Sequence, residues 1–140
     1  MSANTGRAYF GRRYTLSASH RLHSDELTAE QNRATYGKCN NPHGHGHNYV
    51  IEVLVGGPVD SETGMVIDLT ALDEAVHTRV LDRFDHTNLN LDPLFVNLAP
   101  TTENLCRAVF DLLRDALPAG KLESVRVEET ENNFFEYYGA

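Results

Sequence analysis

With 140 residues, 41% hydrophobic and 23% charged, the chain has the size and composition of one globular domain with a proper core. A formal charge of −8 argues against general binding to nucleic acid or to an anionic membrane, and it leaves room for a small anion met by local cations. No apolar run approaches the ~20 residues of a membrane span. The opening MSANTGRAYFGRR lacks the apolar core of a signal peptide, so the cytoplasm is the default compartment. In that setting Cys39 and Cys106, the two cysteines, read as free thiols.

Residues 1–7 read as a flexible tail, and 8–140 as a single domain. From Ala8 to His20, Tyr14, Leu16, Ala18 and His20 alternate with Thr15, Ser17 and Ser19, the period of a half-buried strand with His20 on its apolar face. Residues 23–38 are polar and poorly periodic, with room for a short helical turn around Thr28–Arg33. A second strand is predicted from about His45 to Gly56, ended by Gly56, Gly57 and Pro58. After a turn at Ser61–Gly64 and a short extended piece at Met65–Ile67, Asp68 or Thr70 caps a helix. Its stripe is Leu69, Leu72, Val76, Val80 and Phe84. Leu89–Pro100 reads as loop. Thr101 or Thr102 then caps a second helix with Leu105, Val109, Leu112 and Ala116 on its stripe, stopped by Pro118 and Gly120. Strands near Leu122–Glu129 and Phe134–Tyr138 complete a β–β–α–α–β–β order. The expectation is an α+β fold, with a four-stranded antiparallel sheet and two helices on one face. Its unpaired outer strands predict symmetric self-association through the sheet edges.

The chemistry concentrates in Gly37–Tyr49, GKCNNPHGHGHNY. At the start of a strand His45 and His47 share a face, with only Gly46 between them. If the first strand pairs with the second, His20 joins them. Three neutral imidazoles with a coordination position left open suit a catalytic zinc. A shifted pair, His43 and His45, is the alternative; strand geometry favours His45 and His47 and leaves His43 exposed or supporting a ligand. Cys39 lies four residues before His43 and close to Lys38. Beside a dication its pKa falls, which suits a base or nucleophile; a fourth zinc ligand or an incidental thiol are the other readings. Asp85 can orient His86 and support its charged form, or hydrogen-bond backbone instead. Glu103 complements a helix dipole. Glu129 continues the alternation of Val125 and Val127, so its carboxylate points inward and needs a partner.

The segments SASHRL (Ser17–Leu22), GKCNNPHGHGHNY, GMVIDL (Gly64–Leu69), LDRFDHTNLN (Leu81–Asn90), PTTENL (Pro100–Leu105) and VEETENN (Val127–Asn133) resemble, in order, the signatures of the 6-pyruvoyl-tetrahydropterin synthase family. The resemblance implies the tunnelling fold (T-fold), and a homohexamer built as a dimer of trimers with active sites at subunit interfaces. It implies zinc on His20, His45 and His47, Cys39 as the base, and Asp85 and His86 completing its triad across a subunit boundary. Glu103, with Thr101 and Thr102, would anchor the pterin, and Glu129 would belong to the proton relay. The reaction implied converts 7,8-dihydroneopterin triphosphate to 6-pyruvoyl-tetrahydropterin with loss of triphosphate. Zinc would act as Lewis acid, and Mg²⁺ would accompany the triphosphate. Arg21 and Lys38 flank the ligands and would meet phosphate charge. A close relative, 6-carboxy-tetrahydropterin synthase, usually carries Cys-x3-His-Gly-His where the pyruvoyl type has Cys-x5-His-Gly-His. Cys39 reaches His45-Gly46-His47 through five residues, yet Cys39 to His43-Gly44-His45 also satisfies the shorter form. A folate-pathway relative tends to carry Glu in place of the cysteine. A non-catalytic pterin- or metal-binding subunit of the same fold is the reading from a different class.

Overall fold

The computed structural model describes residues 6–140; most of the expected tail, residues 1–5, lies outside the described residues. Arg7, inside that tail, is tied down by Glu123 at 3.1 Å.

Alternation of apolar and polar residues produces two long strands, β1 (Ala8–His20) and β2 (His45–Gly57). They pair antiparallel over their whole length, Ala8 opposite Gly57 and His20 opposite His45. One face buries Tyr14, Leu16, Ala18 and His20 from β1 and Tyr49, Ile51, Val53 and Val55 from β2, as period-2 side-chain placement requires. Between these strands the chain forms α1 (Ala29–Tyr36) and a 3-10 turn, Gly37–Asn40.

Helix α2 (Leu69–Val76) is capped by Asp68, whose carboxylate accepts from the Thr70 amide. It runs through a π-turn, His77–Leu81, into the short α3 (Asp82–Phe84). Its fully buried residues Leu72, Val76, Val80 and Phe84 recur every four positions, which on a 3.6-residue helix drifts by about 40° per step. The wider i→i+5 turn absorbs that drift and keeps the stripe on the sheet. Beyond it come β3 (Thr87–Asn88), two 3-10 turns, α4 (Thr102–Ala116), β4 (Leu122–Thr130) and β5 (Asn133–Tyr137). Thr101, not Thr102, caps α4. Cys106 is buried on the α4 stripe, its thiol donating to the Val125 carbonyl at 3.2 Å, and burial pushes that thiol up to about 12. Both cysteines are free, as expected.

The sheet corrects the expected strand count. It has five strands in the order β3-β1-β2-β4-β5, antiparallel except for β3 beside β1. Thr87–Asn88, between the predicted first helix and the loop at Leu89–Pro100 and not expected as a strand, pairs parallel with Ala18 and Ser19. Two residues are too few to show a period, and the pairing is set from outside the segment: His86 adopts φ 60° and donates its amide to the Ser17 carbonyl. Met65–Ile67 forms no strand. The helical turn at Thr28–Arg33 extends to Tyr36. The α+β architecture is otherwise as expected, with α2 and α4 over one face of the sheet. Among the described residues no helix is long and apolar enough to cross a membrane.

Candidate active site and metal centre

The β1–β2 register decides the centre of the site. His20 stands opposite His45 and Ala18 opposite His47, so the three imidazoles gather at one end of the ladder. Their ring centroids are 5.2 Å apart for His20–His45, 4.9 Å for His20–His47 and 4.5 Å for His45–His47. Cys39 joins from the 3-10 turn. One ligand atom from each of His20, Cys39, His45 and His47 lies within 4.8 Å of all the others. His43 stands outside this cluster, exposed in the loop, while His45 and His47 both lie in it.

The donor atoms are prepared for a cation. His20 is fully buried, and its Nδ1–H donates to the Pro100 carbonyl at 2.8 Å. That bond places the ring proton on Nδ1 and leaves a lone pair on Nε2, which is buried and has no hydrogen-bond partner. An unpaired buried imidazole nitrogen costs free energy unless something occupies it. The Nε2 atoms of His45 and His47 are 2.7 Å apart, and Cys39 Sγ lies 3.5 Å from His45 Nε2. Burial pushes the His20 and His47 pKa values down, favouring the neutral rings that metals bind. The cluster therefore can hold a metal ion.

Cys39 departs from expectation in one respect. In the protein alone, burial and then the Glu129 carboxylate push its thiol up rather than down; the expected lowering requires a cation beside it.

Glu129 does reach inward. Ile51 faces Val127 in the β2–β4 ladder, which brings Glu129, two residues on, toward Tyr49 and His47. Its Oε1 is 3.3 Å from His47 Nε2, and its Oε2 accepts a short hydrogen bond from the Thr102 hydroxyl. Thr102 is buried, so within one chain its visible part is to hold Glu129. Thr101 is occupied as the α4 cap, accepting from the Asn104 amide at 3.1 Å. Glu103 is exposed in the first turn of α4 and, among the described residues, bonds to no member of the cluster. Asp85 and His86 form a pair, Asp85 Oδ2 to His86 Nδ1 at 3.1 Å, with Asp85 Oδ1 accepting from the Ser17 amide. The pair makes no hydrogen bond or ion pair to a cluster member among the described residues, and the backbone alternative for Asp85 is also realised.

Sequence reasoning missed two supports. Tyr49 places its hydroxyl 3.3 Å from His20 Nδ1; its position two residues after His47 on the same strand face is the signal that marks it. The Pro100 carbonyl offers no sequence signal, because any residue has one.

A cavity of about 800 Å³ opens beside the cluster, between it and α1. The chain around it is pinned by single bonds: Leu22 N–H to the Cys39 carbonyl at 2.6 Å, and Asn40 Nδ2 to the Leu22 carbonyl at 2.7 Å. Gly44 has φ 70°, and a Cβ there would meet the His20 carbonyl at 2.9 Å, so only glycine lets the loop close on β1.

Residues 9–140 match the family model for 6-pyruvoyl tetrahydropterin synthase. The chain is 46% identical over 134 residues to the 6-pyruvoyl tetrahydrobiopterin synthase of Drosophila melanogaster, covering 94% of this chain and 80% of that one. It is 45% identical over 133 residues to the human enzyme of that name, covering 94% and 92%. A putative 6-carboxy-5,6,7,8-tetrahydropterin synthase of Archaeoglobus fulgidus is 38% identical over 92 residues, 66% of this chain and 73% of that one. The Caenorhabditis elegans 6-pyruvoyl tetrahydropterin synthase structure superposes with a TM-score of 0.92 at 40% identity, covering 97% of this chain and 98% of that one. The family model's match runs from β1 to β5, and with it and these relatives the chain belongs to the 6-pyruvoyl tetrahydropterin synthase family, lyases of tetrahydropterin biosynthesis built on the tunnelling fold.

Proposed function

We propose that this protein is a zinc-dependent lyase, a single catalytic domain from Ala8 onward, that converts 7,8-dihydroneopterin triphosphate to 6-pyruvoyl-tetrahydropterin with release of triphosphate. The observation that carries the metal part is the unpartnered, fully buried His20 Nε2, aimed among three further donors. Three imidazoles and a sulfur form a borderline-soft set that suits zinc better than the oxygen-seeking Mg²⁺ or Ca²⁺. His20, His45 and His47 would hold the ion, and a bound zinc supplies Lewis acidity to substrate oxygens. Cys39, beside the ligands, moves protons as the base. Glu129 accepts or passes a proton at Oε1, held in place by Thr102. The proton shuttle of Asp85 and His86 serves a neighbouring subunit's site in a homohexamer, and the absence of a hydrogen bond or ion pair from them to this chain's own cluster accords with that. Glu103, with Thr101 and Thr102, anchors the pterin. Mg²⁺ accompanies the triphosphate, and the compartment is the cytoplasm.

The 6-carboxy product is the second reading, supported by the Cys39-x3-His43 spacing and by the archaeal relative. His43 outside the cluster favours the pyruvoyl product. Incubating the zinc-loaded protein with 7,8-dihydroneopterin triphosphate and Mg²⁺, with mass spectrometry of the pterin released, separates them. The mass of the pyruvoyl pterin is expected. The carboxy pterin would replace this assignment, and no conversion would leave a non-catalytic pterin- or metal-binding subunit.

A further inference from the structure

We propose that His23 is a positioning residue for Cys39, acting through the side-chain amide of Asn40. The inference deepens the functional reading, and it rests on that reading for the role of Cys39 as the base.

The first observation is how the thiol's main chain is held. Cys39 lies in the four-residue 3-10 turn Gly37–Asn40, outside the strand ladder that places the imidazoles. The turn is tied to the end of β1 through Leu22, the second residue after His20. The Leu22 amide donates to the Cys39 carbonyl at 2.6 Å, and the Leu22 carbonyl accepts from Asn40 Nδ2 at 2.7 Å. Arg21 Nε adds a longer bond to the Asn40 carbonyl at 3.3 Å. Cys39 is therefore located relative to His20 by a short run of backbone and by one buried side-chain amide.

The second observation is the direction of that amide. The Leu22 carbonyl can only accept, which assigns the nitrogen of the Asn40 side chain to its side. The same nitrogen lies 3.1 Å from His23 Nδ1. An amide nitrogen has hydrogens to give and no lone pair to offer, so Nδ1 is the acceptor and the neutral ring carries its proton on Nε2. Nε2 faces the Asp25 carboxylate at 3.5 Å, which favours the same tautomer. Both Asn40 N–H groups thus have partners, one on the main chain and one on the His23 ring. Without the ring acceptor, one N–H is left unpaired in a buried place, and the amide gains by turning away from Leu22.

The third observation is that nothing else in the site accounts for His23. It stands outside the cluster that can hold a metal ion. Among the described residues its ring has no polar partners besides Asn40 and Asp25. It also lines the cavity beside the cluster, so a direct contact with substrate is the competing role that the test must separate.

The test compares His23→Leu with His23→Asn on the zinc-loaded protein. With 29% of its side chain exposed, His23 can be replaced without opening the core. Leucine and asparagine branch alike at Cγ, and only asparagine presents an acceptor near the place of Nδ1. Hydrogen exchange of the Leu22 amide reads the bond to Cys39 without turnover, and kcat and KM for 7,8-dihydroneopterin triphosphate read the consequence. His23→Leu is expected to speed Leu22 exchange about 3–10-fold and to lower kcat by a similar factor, the scale of one hydrogen bond. KM should stay within twofold and zinc at its wild-type content. His23→Asn is expected to bring exchange and kcat back to within about twofold of wild type, the acceptor being restored. A raised KM with kcat and Leu22 exchange unchanged would make His23 a substrate contact, and equal behaviour of the two variants would show that the acceptor is immaterial; either result overturns the proposal. Leu22 exchange that leucine speeds and asparagine restores, in a protein that converts no pterin triphosphate, would uphold the positioning of Cys39 and overturn only the reaction.

Discussion

The paired strands β1 and β2 and the segment between them, residues 21–44, build the same site by opposite means. The strands hold His20, His45 and His47 through a continuous ladder in which each residue is located by its neighbours. A one-residue slip would turn every side chain to the wrong face, so the imidazoles are placed by many weak constraints at once. The intervening segment holds Cys39 and the cavity wall through separate side-chain bonds, the Asn32 hub, the Asn40 clasp and the left-handed Gly44. Each of those is a single point of failure. The placement of the three imidazoles is thus redundantly determined, and the placement of Cys39 and the cavity wall is not.

Removing a ligand from the ladder should have the largest effect. His45→Ala is expected to lose stoichiometric zinc altogether, more than the ~10–100-fold in affinity that loss of a ligand's supporting partner costs. Activity should go with it, while circular dichroism stays close to wild type. Retained zinc at one equivalent per chain would show that the other donors suffice. Cys39→Ala should separate the halves: turnover falls about 10²–10⁴-fold, the range for a general acid–base group, and zinc measured by atomic absorption stays near one per chain. Loss of the metal instead would make the thiol a ligand. Asn32→Leu comes next. It strands the Ser24 amide and the Leu27 carbonyl, while the Ser24 and Thr28 carbonyls keep backbone partners, at a cost of about 1–3 kcal/mol, read as a lower Tm. Substrate KM should rise with zinc content unchanged.

The smallest effect is set by pH. The Arg83–Asp92 pair, joined by two bonds of 2.9 Å, pins the loop from which Asn90 clasps Arg21 through its backbone. Hydrogen bonding from Arg83 holds the Asp92 carboxyl below its ordinary 3.8. The folded state therefore binds that proton less readily than the unfolded state. Its stabilisation is complete above about pH 3.8 and is lost as pH falls through the lowered folded value. Asp92→Asn should remove on the order of 1 kcal/mol after solvent screening, visible in urea unfolding at neutral pH and vanishing in acid. An equal difference at both pH values would refute the electrostatic account.

The same contrast explains what was legible in the sequence. Leu16, Ala18 and His20, or Leu105, Val109 and Leu113, announce their elements because burial imposes a period on them. Their pairing brings His20 to His45 with no further information. Helix α1 gave no such signal, because its one buried residue is an asparagine and its stability comes from bonds that have no period. Strand β3 is two residues long and owes its place to the backbone at His86. Glu129 was found by alternation, whereas Thr102, its hydrogen-bond partner, was read for pterin binding. The Pro100 carbonyl that fixes the His20 tautomer belongs to the main chain and leaves no mark. The cavity lining is half visible in the sequence: Arg21 and Lys38 adjoin the motif, and Arg33 reaches the cavity only once α1 is folded.

Cys106 has a practical corollary. With its sulfur sealed inside α4 and resistant to ionisation, an alkylating reagent applied to native protein meets Cys39 as the accessible thiol. The mass added per chain then counts accessible Cys39 thiols directly, and protection by a bound ligand becomes a readout of occupancy beside the cluster that requires no turnover.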